Sequence, residues 1–191
     1  MLTCFDIAKY FVWLSNQTGL PVSNLKLQKL VYYAQGVYLA LCKKPLFSEE
    51  IQAWDLGPVT PPLYRHYRGC YRIRLEQELD NSIYASDVVE VLNCVYKTLG
   101  HLSGEKLSER THDELPWTET PRNHEITQEL MMSFFNERLD EFGFDFPTES
   151  LKERLEAVYE ASEDSEELED FELYLESKEE WSEVYRRLAN S

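Results

Sequence analysis

Cysteine and histidine are the side chains best suited to hold a metal or attack an electrophile, and their spacing decides whether they can. Cys4, Cys42, Cys70 and Cys94 form no C-x-x-C pair, and His66, His101, His112 and His124 complete no zinc pattern. The sequence contains no G-x-S-x-G, no H-E-x-x-H and no Gly-rich phosphate loop, since Gly57 and Gly69 stand alone. Carboxylates are plentiful, but a catalytic pair looks like any surface pair until a fold places it. The residues therefore predict no catalytic group, no metal, no cofactor and no enzyme. They predict reduced, buried thiols in a cytoplasmic protein.

Recognition chemistry is easier to read. Tyr64, Arg65, His66, Tyr67, Arg68, Arg72 and Arg74 make a basic and aromatic run in a chain whose net charge is −16. Residues 151–191 hold 14 Asp/Glu against 5 Lys/Arg, a net of −9, so negative charge is densest at the C-terminal end. The overall charge argues against nucleic acid as a partner. Two readings of the basic run stay open, pairing with the chain's own acids or contact with an external partner.

At 191 residues and 43% hydrophobic composition, the chain can bury one good core. No apolar run approaches the roughly 20 residues of a membrane span. The opening MLTCFDIAKYFVWLSN reads as a first helix, because it lacks a basic leader and a cleavage site. Ser23 or Asn24 caps a second helix running to about Cys42, with Leu27, Leu30, Val31, Ala34, Val37, Tyr38 and Leu41 on one face. Gln28, Tyr32, Gln35 and Leu39, with Lys29 beside them, form another stripe. That stripe either meets a partner or is covered by a second helix.

Residues 51–54 read as a short extended segment, Gly57-Pro58 as a turn, and Pro61-Pro62 as the first turn of a short helix. Residues 73–79 read as a strand or a loop. A further helix opens at Ser86-Asp87, and another segment starts at Ser103 or Gly104 and is broken by Pro116. The last core helix is expected over residues 121–142, with Ile126, Leu130, Met131, Phe134, Phe135 and Leu139 facing inward. Residues 142–147, FGFDFP, read as a boundary. Residues 1–146 then form the domain, and 147–191 an acidic amphipathic helical extension with Trp181 and Tyr185 on its apolar stripes.

Taken in order, LKLQKLVYYAQGVYLAL, PLFSEEIQAWDLGPVTPPLYRHYR and LSERTHDELPWTET resemble the Panacea-domain family, which includes SocA-like antitoxins and phage-associated GepA-like proteins. The likeness rests on Leu27, Gln28, Lys29, Leu30, Tyr32, Tyr33, Ala34 and Gln35, on Pro45-Leu46-Phe47 and Ala53-Trp54, and on Gly57-Pro58-Val59 with Tyr64. It continues through Leu107-Ser108, Thr111-His112 and Pro116-Trp117. It spans roughly residues 3–142. Asp113-Glu114-Leu115 stands where the family often has a charged or Gly-containing stretch, and the segment from about Thr148 lies outside the likeness.

The resemblance implies a mainly α, compact helical domain with a small extended or β-hairpin element. It also implies an antitoxin that neutralises a cognate toxin by direct protein–protein binding. The toxin is expected from an adjacent gene. The alternatives are a proteolytic adaptor delivering the toxin to a ClpXP-type protease, or a DNA-binding regulator of its own operon. Candidate partner-binding residues are Gln28, Lys29, Tyr32, Gln35, Trp54, Tyr64, Arg65, Arg68, Trp181 and Tyr185. Leu27, Leu30, Tyr33, Ala34, Gly57, Pro58, Val59, His112, Pro116 and Trp117 are expected to be structural.

Overall fold

The computed structural model describes residues 2–75 and 79–139. Trp181, Tyr185 and the proposed extension lie outside the described residues, as does the boundary at residues 142–147. Seven α-helices and one small sheet make up the described part. Helix α1 (Cys4–Thr18) starts at a capping box in which Thr3 and Asp6 satisfy each other's backbone N–H groups. It ends at Gly19, whose φ of 72° is the left-handed conformation that a C-terminal cap requires. Ser23 caps α2 (Asn24–Cys42) by accepting from the Lys26 N–H.

Helix α2 is the axis of the molecule. Leu27, Leu30, Val31, Tyr32, Tyr33, Ala34 and Val37 are all fully buried, and they leave no solvent-facing side. A helix buried on every face must be wrapped, and α2 packs against α1, α4, α5, α7 and the sheet. Between α2 and α7 (Gln128–Arg138), Gly36 lets the Phe135 ring sit directly on the helix backbone. Phe135 then meets the rings of Tyr32 and Tyr33 edge-on, with centroids 5.6 and 6.0 Å apart.

The sheet is a two-stranded antiparallel hairpin, β1 (Gln52–Trp54) and β2 (Gly57–Val59), in the register Gln52 to Val59, Ala53 to Pro58 and Trp54 to Gly57. The reversal therefore falls at Asp55-Leu56, and Gly57-Pro58 opens the second strand instead of forming the turn. Residues 123–126 lie along the free edge of β1. Ala53 N–H donates to the His124 carbonyl at 3.0 Å, and Ile126 N–H to that of Ile51 at 2.7 Å. Ile126 thus reaches the core from an extended segment, and the last helix starts only at Gln128, where Thr127 caps it.

Helix α3 (Pro61–His66) begins with two prolines whose missing N–H groups cost nothing there. The described part of 73–79 is irregular, and a 3-10 turn covers Asn81–Ile83. Helix α4 (Ser86–Leu99) follows, then α5 (Gly104–His112), capped by Ser103. Pro116 does not break α5, which ends at His112. It lies in the first turn of a separate short helix, α6 (Leu115–Thr118). Cys4 and Cys42 are buried, as expected for structural thiols, but Cys94 is half-buried and Cys70 is exposed.

Replacing Gly36 by alanine should destabilise the fold, although alanine favours helix by about 1 kcal/mol. A Cβ at residue 36 falls within the Phe135 ring. We expect a net loss of about 1–3 kcal/mol in urea unfolding, with partial recovery when Phe135→Leu is added.

Candidate functional site

Among the described residues no strand lies along the outer edge of β2, and side chains of α2 take that place. Lys29 Nζ donates to the Pro58 carbonyl at 2.9 Å, and Gln28 Oε1 accepts from the Thr60 N–H at 2.9 Å. Asn24 Oδ1 in turn accepts from Gln28 Nε2 at 2.9 Å and so fixes its orientation. Gln35 serves the preceding loop in the same way. Its Oε1 accepts from the N–H groups of Leu46 and Phe47, and its Nε2 donates to the Phe47 carbonyl. Gln28, Lys29, Tyr32 and Gln35 are each at most 1% exposed. The second stripe of α2 is therefore not a partner-facing surface. It is consumed in holding the hairpin and loop, which corrects the expectation that these four residues meet a partner.

The rest of the hairpin is held from above by α5 and α6. Ser108 Oγ donates to the Leu56 carbonyl at 2.7 Å, and Trp117 Nε1 to the Trp54 carbonyl at 2.9 Å. His112 Nε2 lies 3.0 Å from the Asp55 carbonyl, within hydrogen-bond reach. The Arg122 guanidinium pairs with the Asp55 carboxylate at the surface. Gly57 has φ 94°, and a Cβ there would strike Thr111 Oγ1 and come within 2.7 Å of Lys29 Nζ. Glycine is needed for both reasons.

Beneath the hairpin lies a buried polar cluster. Glu114 is 5% exposed and accepts from both tyrosine hydroxyls, Tyr32 at 3.0 Å and Tyr33 at 2.7 Å. Arg110 approaches the same carboxylate at 3.8 Å and lies over the Tyr33 ring. Burial, reinforced by the Glu114 charge, pushes both phenols above their usual range, so they stay protonated and act as donors. Burial pulls Lys29 down to about 7, against the opposing pull of Glu114. These groups bind one another, so the arrangement is a structural clamp. Among the described residues no three His, Cys, Asp or Glu side chains are grouped to hold a metal. No helix among them is long and apolar enough to cross a membrane.

Leu27, Leu30, Tyr33, Ala34, Gly57, Pro58, Val59 and Pro116 are buried, while His112 and Trp117 are half-buried with ring centroids 4.3 Å apart. The remaining candidates lie at the surface. Trp54 and Tyr64 are half-buried and meet edge-on at 5.0 Å. Arg65 and Arg68 are exposed beside them. Leu56 at the hairpin tip is 60% exposed, and Leu115 at the start of α6 is 43% exposed. The sequence reading missed Leu56, Leu115 and Glu114. One acid among 35 Asp/Glu residues carries no mark of burial, although its place just before Leu115-Pro116-Trp117 sets it at the N-terminus of α6.

Residues 27–118 match the family described as Antitoxin SocA-like, Panacea domain. That stretch runs from the first turn of α2 to the last residue of α6 and takes in the hairpin with Gln28, Lys29, Ser108, His112 and Trp117, but not Asn24 or Arg122. Antitoxin SocA of Caulobacter vibrioides (strain NA1000 / CB15N) is 34% identical over 76 residues, 40% of this chain and 38% of SocA. The alignment thus covers under half of that relative. No solved structure matches the chain. The likeness to the SocA-like Panacea domain is thus carried by residues 27–118.

Two outcomes test the clamp. Between about pH 7 and pH 9 the unfolded chain still holds the Lys29 proton that the folded chain releases, so stability should rise with pH. One proton sets a ceiling of about 1.4 kcal/mol per pH unit. Above that window the trend should reverse, because burial raises Cys4 to about 12 and Cys42 to about 11, and these thiols ionise first in the unfolded chain. Denaturant unfolding of Lys29→Met across this range should show a flatter rise than the parent. Separately, Glu114→Ala leaves two buried hydroxyls without their acceptor and should cost about 2–5 kcal/mol, while the exposed control Glu119→Ala should change stability little.

Proposed function

We propose that this protein is an antitoxin that neutralises a cognate toxin by binding it directly, and that the hairpin and α3 present the binding face. The observation that carries this reading is the match of residues 27–118 to the SocA-like antitoxin family. The surface chemistry supports it. Trp54 and Tyr64 offer amphipathic rings, Leu56 and Leu115 add exposed apolar area, and Arg65 and Arg68 can pair with acids at the rim. All sit on elements fixed from behind by the α2, α5 and α6 side chains, so little ordering cost falls on the binding step. The toxin is expected to be the product of a neighbouring gene.

Co-expression with that product, scored for growth and co-purification, tests the reading. We expect rescue together with a stable complex. Leu56→Asp combined with Leu115→Asp should weaken the complex by at least about tenfold, as expected for a contact worth more than about 1.4 kcal/mol. Because both side chains are exposed, the unfolding midpoint should stay close to that of the parent. A neighbour that is neither toxic nor bound would sink the proposal. Rescue with loss of the toxin and no stable complex would point instead to delivery for degradation.

A further inference from the structure

Residues 56–75 contain four arginines and a histidine and not one Asp or Glu, in a chain of net charge −16. The structure makes this stretch a fixed basic ridge. Asn24 anchors it at two points: its Nδ2 donates to the Tyr64 carbonyl at 3.1 Å and its N–H to the Cys70 carbonyl at 3.0 Å. Ile73 N–H donates to the Val22 carbonyl at 2.8 Å. Arg65, Arg68, Arg72 and Arg74 are all exposed, and among the described residues none of them forms an ion pair. Arg72 and Arg74, with Ile73 and Leu75, also line an open cleft of about 300 Å³ against Ser15 and Pro21. Tyr71, 89% exposed, stands between the arginines.

Residues 161–176, ASEDSEELEDFELYLE, are the complement in composition. They hold eight Asp/Glu and no Lys or Arg, and they include Phe171, Tyr174 and Leu175. Twenty-one residues separate this segment from Leu139, the last described residue. At about 3.3–3.6 Å per residue that tether reaches up to about 70 Å, well beyond the radius of gyration of about 14 Å expected for a domain of this size. A tethered segment also acts at an effective concentration in the millimolar range, which an untethered acidic partner of equal affinity must exceed.

We propose that residues 161–176 of the same chain dock on the Arg65–Arg74 ridge, with the acids meeting the arginines. An acidic ligand would then have to displace the segment, and a basic one would draw it away. This inference does not depend on the antitoxin reading, and its test needs no toxin.

Cys70 provides the probe, being exposed within the ridge while Cys4 and Cys42 are buried. A nitroxide on Cys70 of the full-length, isotope-labelled protein, with Cys94→Ser to keep labelling single, reports proximity by amide broadening. At low salt the amides of residues 161–176 should lose most of their intensity. Intensity should return at about 1 M salt, where screening acts within about 3 Å. It should also return in the full chain carrying Arg65→Ser, Arg68→Ser, Arg72→Ser and Arg74→Ser. Full intensity at low salt in the parent would overturn the proposal and leave the ridge open to an external acidic partner. Broadening that survives in the four-arginine variant would overturn its ionic basis. Broadening seen when unlabelled, spin-bearing protein is mixed with spin-free labelled protein would assign the occupant to a second copy, against the proposal.

Discussion

The structure turns on a strand edge that meets no further strand among the described residues. β2 is buried, and within that part of the chain no third strand satisfies its outer backbone groups. Unpaired peptide groups in that position would cost on the order of 1–3 kcal/mol each. Two side chains of α2 meet the need, Lys29 on the Pro58 carbonyl and Gln28 on the Thr60 N–H. Pro58 suits the edge because it has no N–H of its own to satisfy. Burying an ammonium is itself costly, and the lowered Lys29 pKa records that cost. The Glu114 carboxylate offsets part of it, and the two tyrosine hydroxyls and Arg110 then hold Glu114. One unpaired edge therefore determines six side chains, five on α2 and α5 and one at the N-cap of α6.

That chain of dependence accounts for the residue types in the motif. Glycine is needed at 57 because Lys29 and Thr111 close in on it. Serine, histidine and tryptophan on α5 and α6 lie where the carbonyls of Leu56, Asp55 and Trp54 are exposed to them. Tyrosines at 32 and 33 fill the volume between α2 and α7 while turning their hydroxyls toward one carboxylate. Such a network rigidifies only when every member is satisfied.

Much of this architecture was legible in the chain. The caps of α2 and α5, the paired prolines of α3 and the short extended segment before Gly57 follow from local rules that tertiary packing did not override. The polar stripe of α2 did not. Helical periodicity says which residues share a face, but not whether that face meets water or a strand edge. A glutamine and a lysine beside a tyrosine look the same in both cases. The Gly57-Pro58 reading missed by one step for a similar reason. Both residues favour turns, yet the register is set by what β2 must reach on α2, and that moves the reversal to Asp55-Leu56.

The same burial limits what the motif can say about recognition. Side chains spent on the hairpin backbone are unavailable to a partner, so the residues that define the domain specify a platform and not what lands on it. The positions the clamp leaves exposed are the hairpin tip at Leu56, the start of α6 at Leu115, and the arginines that follow Tyr64. Their side chains make none of the hydrogen bonds that hold the hairpin, so each can change without loosening it. Altering a side chain on that face leaves the buried edge satisfied, because Lys29 and Gln28 meet its backbone groups from the other side.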